Sequence, residues 1–185
     1  MIRPETRELD QVNQQLLRSL ARQWALAYRL LDPRRLDASF DRWLAVTTRL
    51  AGDARAQAAA AGLDYLASLG LIAQTAPEPL SPGVWAASMH VTAVATVKRA
   101  TGKGMPLEAA ALLGRRRSLG AASRHVIDAE RSVVMQVSDK WRRVSVGLAD
   151  CDFCAMLIGR GAVYSKSSAG FRSHDNCDCL VEPEF

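Results

Sequence analysis

The first 150 residues of this 185-residue chain contain no cysteine. That absence argues against a disulfide framework, which would spread its cysteines over the fold. No run of about 18 apolar residues occurs either, so a membrane-spanning helix is not expected. The opening stretch MIRPETRELDQVNQQLL is charged and carries no apolar signal core, which points to a cytoplasm-like compartment. There is no internal repeat, and so no solenoid. HExxH is missing, which removes that class of metalloprotease. Gly159-Arg160-Gly161 lacks the lysine and the further glycine of a phosphate loop. Ser88 and His90 stand two apart in a helical segment and do not face each other, so no serine-protease arrangement can be argued from them.

All four cysteines and one of the three histidines lie in CDFCAMLIGRGAVYSKSSAGFRSHDNCDC, residues 151–179. Cys151 and Cys154 form a CxxC, which places two thiolates on the same side of a tight turn. Cys177 and Cys179 form a CxC, whose alternate side chains share one face of an extended segment. His174 stands shortly before Cys177, and the gap between Cys154 and His174 is of the length used by zinc ribbons and treble-clef-like sites. A structural zinc needs four ligands and five candidates are present. The reading is one structural Zn2+ per chain, held by Cys151 and Cys154 with two of His174, Cys177 and Cys179. Reduced packing thiols and a redox CxxC are the alternatives, although the βαβ setting of a thioredoxin-type site is missing. Bound metal would contribute on the order of 10 kcal/mol to a module this small.

The remainder reads as helix. Leu9, Val12, Leu16, Leu20, Trp24, Ala27 and Leu31 recur at spacings of three and four, predicting an amphipathic helix over 5–31 that ends at Asp32-Pro33. Phe40, Trp43, Leu44, Thr47 and Leu50 open a second helix that closes near Gly70. The prolines of 76–83 mark a loop. A third helix is predicted over 84–100. A fourth covers 107–141, with Val126, Val133, Val134 and Val137 on its buried side, and with Arg115-Arg116-Arg117 and Gly120 inside it as a bend or break. Short strands are predicted at 142–146, 162–164 and 179–183, the last closed by Pro183 at an edge. The four tryptophans, one per helical segment, are core, and His90 and His125 are ordinary helical histidines. The fold class is mainly α: a body of long amphipathic helices over 1–140, then a small α+β zinc-binding module, treble-clef or ribbon-like, over 141–185.

Formal net charge is +5. The last 35 residues hold three basic and five acidic side chains, leaving +7 on the first 150. Such a surface suits nucleic acid or an acidic protein, with Arg115, Arg116, Arg117, Arg142 and Arg143 as the contact candidates.

The C-terminal block resembles the end module of phage Mu F-protein-like minor head proteins, in the form found in actinobacterial phages. Trp141, Cys151, Cys154, Gly161, Val163, Tyr164, His174, Cys177 and Cys179 carry the likeness, which covers the last 45 residues. The helical body is similar only in kind. The resemblance implies a minor capsid or head morphogenesis protein working near the portal inside the head. It implies portal, scaffold or major capsid protein as partners, packaged DNA bound without sequence specificity, oligomerisation in the particle, and no membrane. Its place would be the virion, and the host cytoplasm during assembly. No residue set supports proteolysis, and the histidine that would complete a His-Asn-His nuclease beside His174 and Asn176 is missing, so a non-enzymatic role is expected. The rival readings are a zinc-stabilised DNA-binding protein and a capsid maturation protease or nuclease.

Overall fold

The computed structural model describes residues 2–72, 79–137, 139–146, 152–165, 171 and 173–184. Helix α1 (Pro4–Ala27) starts with proline in its first turn, where the missing N–H costs nothing, and with Glu5 beside the positive end of the helix dipole. It ends in one 3-10 turn, Tyr28–Leu30. Asp32 then reverses the chain, its carboxylate accepting from the Arg34 amide at 2.9 Å and its carbonyl from the Arg35 amide at 3.0 Å.

Helix α2 (Leu36–Ser68) runs 33 residues. At a rise of about 1.5 Å per residue its length is about 50 Å. Its inner face is small: Ala51, Ala54, Ala58, Ala59 and Gly62 are buried. Small side chains let backbones approach, and α2 packs along α1 and along α5 (Leu107–Val137). A Cβ on Gly62 would stand 3.2 Å from the Glu130 carbonyl oxygen of α5, tighter than most contacts allow.

Between α2 and α5 lie α3 (Pro82–Met89), a π-helical turn (His90–Ala95) and α4 (Thr96–Gly102). The single helix predicted over 84–100 is therefore interrupted, and the Thr96 hydroxyl donates five residues back to the Val91 carbonyl at 3.2 Å. Helix also begins inside the predicted loop: proline at a first helical position initiates α3, while residues 76–78 of that loop lie outside the described residues. Helix α5 is one unbroken rod. Gly120, predicted as a bend, is a point of close approach instead, and the helix stops at Val137 rather than reaching Trp141.

Strand β1 (Lys140–Val144) pairs antiparallel with β2 (Leu180–Glu184), Trp141 opposite Pro183 and Arg142 opposite Glu182. Both strands lie within two residues of the predicted spans. The predicted strand at 162–164 reduces to one bridge between Tyr164 and Trp141, with the Trp141 amide donating to the Tyr164 carbonyl at 3.0 Å. The Trp141–Pro183 pair is thus one whose backbone groups point away from the ladder. Pro183 forfeits no sheet hydrogen bond there, and β2 continues through it to Glu184. Helix α6 (Asp152–Ile158) lies between the strands in sequence. The architecture is mainly helical with a small two-stranded sheet near the C-terminus.

Among the described residues, two large apolar clusters hold this arrangement, beside a small one of Cys154, Cys177 and Cys179. The larger joins α1, α2, the α3–α4 stretch and α5 around three tryptophans. Trp24 meets Trp43 edge-on with ring centroids 5.7 Å apart, and meets Trp85 likewise at 6.2 Å. Aromatic quadrupoles favour that edge-to-face geometry. The Trp24 and Trp85 indole N–H groups donate to Ser118 (3.2 Å) and Thr48 (3.0 Å). The second cluster mixes Leu9, Tyr65, Leu66, Val133 and Val134 of the long helices with Trp141, Leu157, Tyr164, Leu180 and Val181. The cysteine-bearing segment therefore shares apolar core with α1, α2 and α5.

Candidate metal centre

Three of the predicted ligands come together. Cys154 sits in the first turn of α6, while His174 and Cys177 flank a turn that leads into β2. Their ligand atoms all lie within 4.8 Å of one another. Cys154 Sγ is 3.9 Å from Cys177 Sγ and 3.3 Å from His174 Nε2. A tetrahedral zinc with Zn–S of about 2.3 Å and Zn–N of about 2.0 Å spaces two sulfurs about 3.8 Å apart and a sulfur and nitrogen about 3.5 Å apart. The two separations from Cys154 match that pattern to within a few tenths of an ångström, and all three ligand atoms lie close together, so this cluster could hold a metal ion. The other histidine nitrogen, Nδ1, lies 2.9 Å from the Asp175 carbonyl. A carbonyl only accepts, so Nδ1 carries the proton and Nε2 presents its lone pair to the cysteines.

The supporting shell comes from outside the cysteine segment. Arg131 on α5 is fully buried and clamps the CxC backbone: Nε and Nη2 donate to the Cys179 carbonyl at 3.0 and 2.7 Å, and Nη2 to the Cys177 carbonyl at 2.9 Å. Its Nη1 is held by Asp128 at 2.8 Å. Arg143 on β1, 2% exposed, brings Nη1 to 3.8 Å from Cys154 Sγ and 3.7 Å from Cys177 Sγ. Its guanidinium lies 3.8 Å from the Phe171 ring centroid, with that of Arg131 4.6 Å from the same ring. Two buried guanidinium groups beside sulfur stabilise thiolate, the form that binds metal. The Cys177 thiol is accordingly held well below its ordinary value, by the Cys179 hydrogen bond first and then, against burial, by Arg131 and Arg143. Cys179 moves the other way, because it donates that hydrogen bond and is buried beside the Cys177 charge.

The turn itself is fitted to α5. Asn176 has a φ of 64°. That is the left-handed region, which asparagine tolerates. Its amide donates to the Gly120 carbonyl at 3.4 Å, and its side chain occupies the space a Cβ on residue 120 would need, 2.7 Å from Oδ1. Asp175 is tied to Arg124 at 3.0 Å, and Ser173 donates to Asp128 at 3.0 Å.

Cys179 is buried beside this trio without belonging to the mutually close set, and Cys151 lies outside the described residues. Among the predicted contact arginines, Arg116 and Arg117 are exposed and Arg115 is half-buried near Tyr28. Arg142 and Arg143 have partners of their own within the fold. Arg142 is committed across the sheet to Glu182 and to Glu184 at 3.1 Å, and Arg143 is packed against the thiols. Arg131, Asp128 and Phe171 were not legible as site residues. The usable signal was Glu130-Arg131 set between Val126 and Val133-Val134, charges in an apolar stripe that must find buried partners. The histidine beside Ser88 is His125 rather than His90: the Ser88 hydroxyl lies 3.2 Å from His125 Nε2.

No helix among the described residues is long and apolar enough to cross a membrane. No curated protein and no solved structure matches this chain. The family model described as VG15 protein matches residues 1–185, the whole chain. The chain belongs to the VG15 protein family, a viral gene protein family, and this membership supports a phage protein.

Proposed function

We propose that this chain is a non-enzymatic minor head protein of a phage, acting at or near the portal, whose C-terminal segment is organised by one structural zinc ion. The observation that carries the reading is the Cys154–His174–Cys177 cluster, set at ligand spacing inside the segment that resembles the minor head proteins. Two thiolates and an imidazole favour zinc over oxygen-loving cations. The fourth ligand comes from Cys151 or Cys179. With Arg131 and Arg143 sealing the inner side and four protein ligands, no coordination position remains for catalytic water, and the ion staples α6 and the 174–177 turn onto the sheet. Membership of a viral family supports a phage protein, which a head role requires. The contacts to portal or scaffold would fall to the helical body.

The test is quantitative proteomics of purified particles and of heads blocked before DNA packaging, with plasma mass spectrometry of the isolated chain. The reading requires the chain in heads at few copies and one zinc per chain, lost on Cys154→Ser. Absence of the chain from every head form would refute the head role. A metal-free wild-type chain with intact C-terminal protease resistance would refute the zinc.

A further inference from the structure

Directly outside the ligand-bearing turn lies a cleft of about 390 Å³, bounded by the π-helical turn, α4, α5 and the 174–177 turn. Arg99 from α4 and Arg117 from α5 both line it. Both are exposed, and among the described residues neither is in an ion pair. The single carboxylate in the lining, Asp175, already accepts from Arg124 at 3.0 Å. The cleft therefore keeps two unneutralised guanidinium groups. Asn176 supplies an amide held in place by its packing on Gly120. The Thr92 hydroxyl is spent on the Ser88 carbonyl, and that of Thr96 on the Val91 carbonyl, so the donors left for a ligand are the two guanidinium groups and the amide. The extra residue of a π turn widens a helix locally, and such turns recur at binding sites.

We infer that this cleft binds a phosphate group between Arg99 and Arg117. A planar guanidinium presents paired donors that match two phosphate oxygens; a free phosphate has oxygens enough for two such forks, and a phosphodiester shares its two non-bridging oxygens between them. The source is either free phosphate or a phosphodiester of a nucleic-acid backbone. The inference stands apart from the proposed role in the head, because it rests on donors outside the metal cluster. It also differs from the basic surface predicted from the sequence: Arg99 is not among those candidates, and Arg142 and Arg143 do not line the cleft.

The experiment uses the full chain and two probes. Inorganic phosphate is titrated while the Asn176 side-chain and Gly120 amide resonances are followed by NMR. A labelled short DNA duplex, in two unrelated sequences, is titrated by fluorescence anisotropy between about 50 and 200 mM salt. The variants are Arg99→Gln with Arg117→Gln, and Arg116→Gln, an exposed neighbour outside the cleft, as control; circular dichroism checks that each is folded. The wild-type chain is expected to show phosphate-dependent shifts that the double variant loses. If the backbone is the source, the double variant also weakens both duplexes about equally and lowers the salt slope by about 2, whereas the control lowers it by about 1 at most. Phosphate binding without duplex binding assigns the site to the free anion. No response to either probe overturns the inference, as does a control variant that loses as much as the double variant, since charge anywhere on the surface would then suffice.

Discussion

Replacing Glu130 with glutamine should stabilise the fold above about pH 7 and change little near pH 4.5. Glu130 is fully buried where α5 meets α1 and α2. Its Oε2 accepts from Asn13 Nδ2 at 3.5 Å, while Oε1 and Asn13 Oδ1 are both buried without a hydrogen-bond partner among the described residues. Two acceptor oxygens cannot satisfy each other, but one proton on the carboxyl makes it a donor. Burial, only partly opposed by the Arg131 charge and the Asn13 amide, pushes the carboxyl up to about 7 from 4.5. Between those values the folded chain holds a proton that the unfolded chain releases. Stability therefore falls as pH rises from 4.5 to about 7, and the deficit is constant above that. At about 1.36 kcal/mol per pH unit the deficit is about 3 kcal/mol, equivalent to about 6–12 °C in melting temperature for a domain of this size. Glutamine keeps the shape, carries no charge and has an N–H for Asn13 Oδ1. Urea denaturation of both chains from about pH 4.5 to about pH 9 measures the difference. It should be near zero at the acid end and approach about 3 kcal/mol in favour of Glu130→Gln by about pH 8. Parallel curves, separated by the same amount at every pH, would refute the reasoning, because Glu130 would then ionise alike in both states.

Arg131→Met should cost about 3–5 kcal/mol by unfolding calorimetry, since it strips the Cys177 and Cys179 carbonyls of buried donors, and should weaken metal retention about 10–100-fold in a chelator competition. Gly120→Ala should loosen the 174–177 turn, read as faster proteolysis of the C-terminal segment with helix content unchanged, because the added methyl takes the place of the Asn176 amide. Glu182 lies below its ordinary range: burial raises it, but the Thr6 hydroxyl, the Arg3 amide and Arg142 together outweigh burial. Its contribution is present above pH 4.5 and is lost as pH falls through the depressed value, so Thr6→Ala should shift the acid unfolding midpoint upward.

The helices were legible because they rest on local rules: apolar spacing, proline at first turns, glycine after last ones. Their insides were less so. The α1 stripe led from Leu9 through Val12, yet Val12 is 48% exposed and Asn13 turns inward, because a polar partner waits there on α5. Gly120 looked like a weak point in a helix, and only the tertiary position of Asn176 reveals why no side chain fits. The same limit applies to charge. Arg142 and Arg143 are adjacent and basic, but in a strand they point to opposite faces, one toward carboxylates and one toward sulfur. The metal cluster was legible from Cys154, His174 and Cys177 because metal geometry constrains spacing. Its guanidinium lining was not, since Arg131 is 46 residues away from Cys177 in sequence.

The Arg3 amide and the Thr6 hydroxyl reach Glu182 across separations of 179 and 176 residues. A contact of that span closes only when every residue from Arg3 to Glu182 has been made. In synthesis, α1, α2 and α5 are made before β2. Until then Leu9, Tyr65, Val133 and Val134 have no Leu180 or Val181 to cover them. The nascent protein thus carries an open apolar seam along its helices until β2 is made.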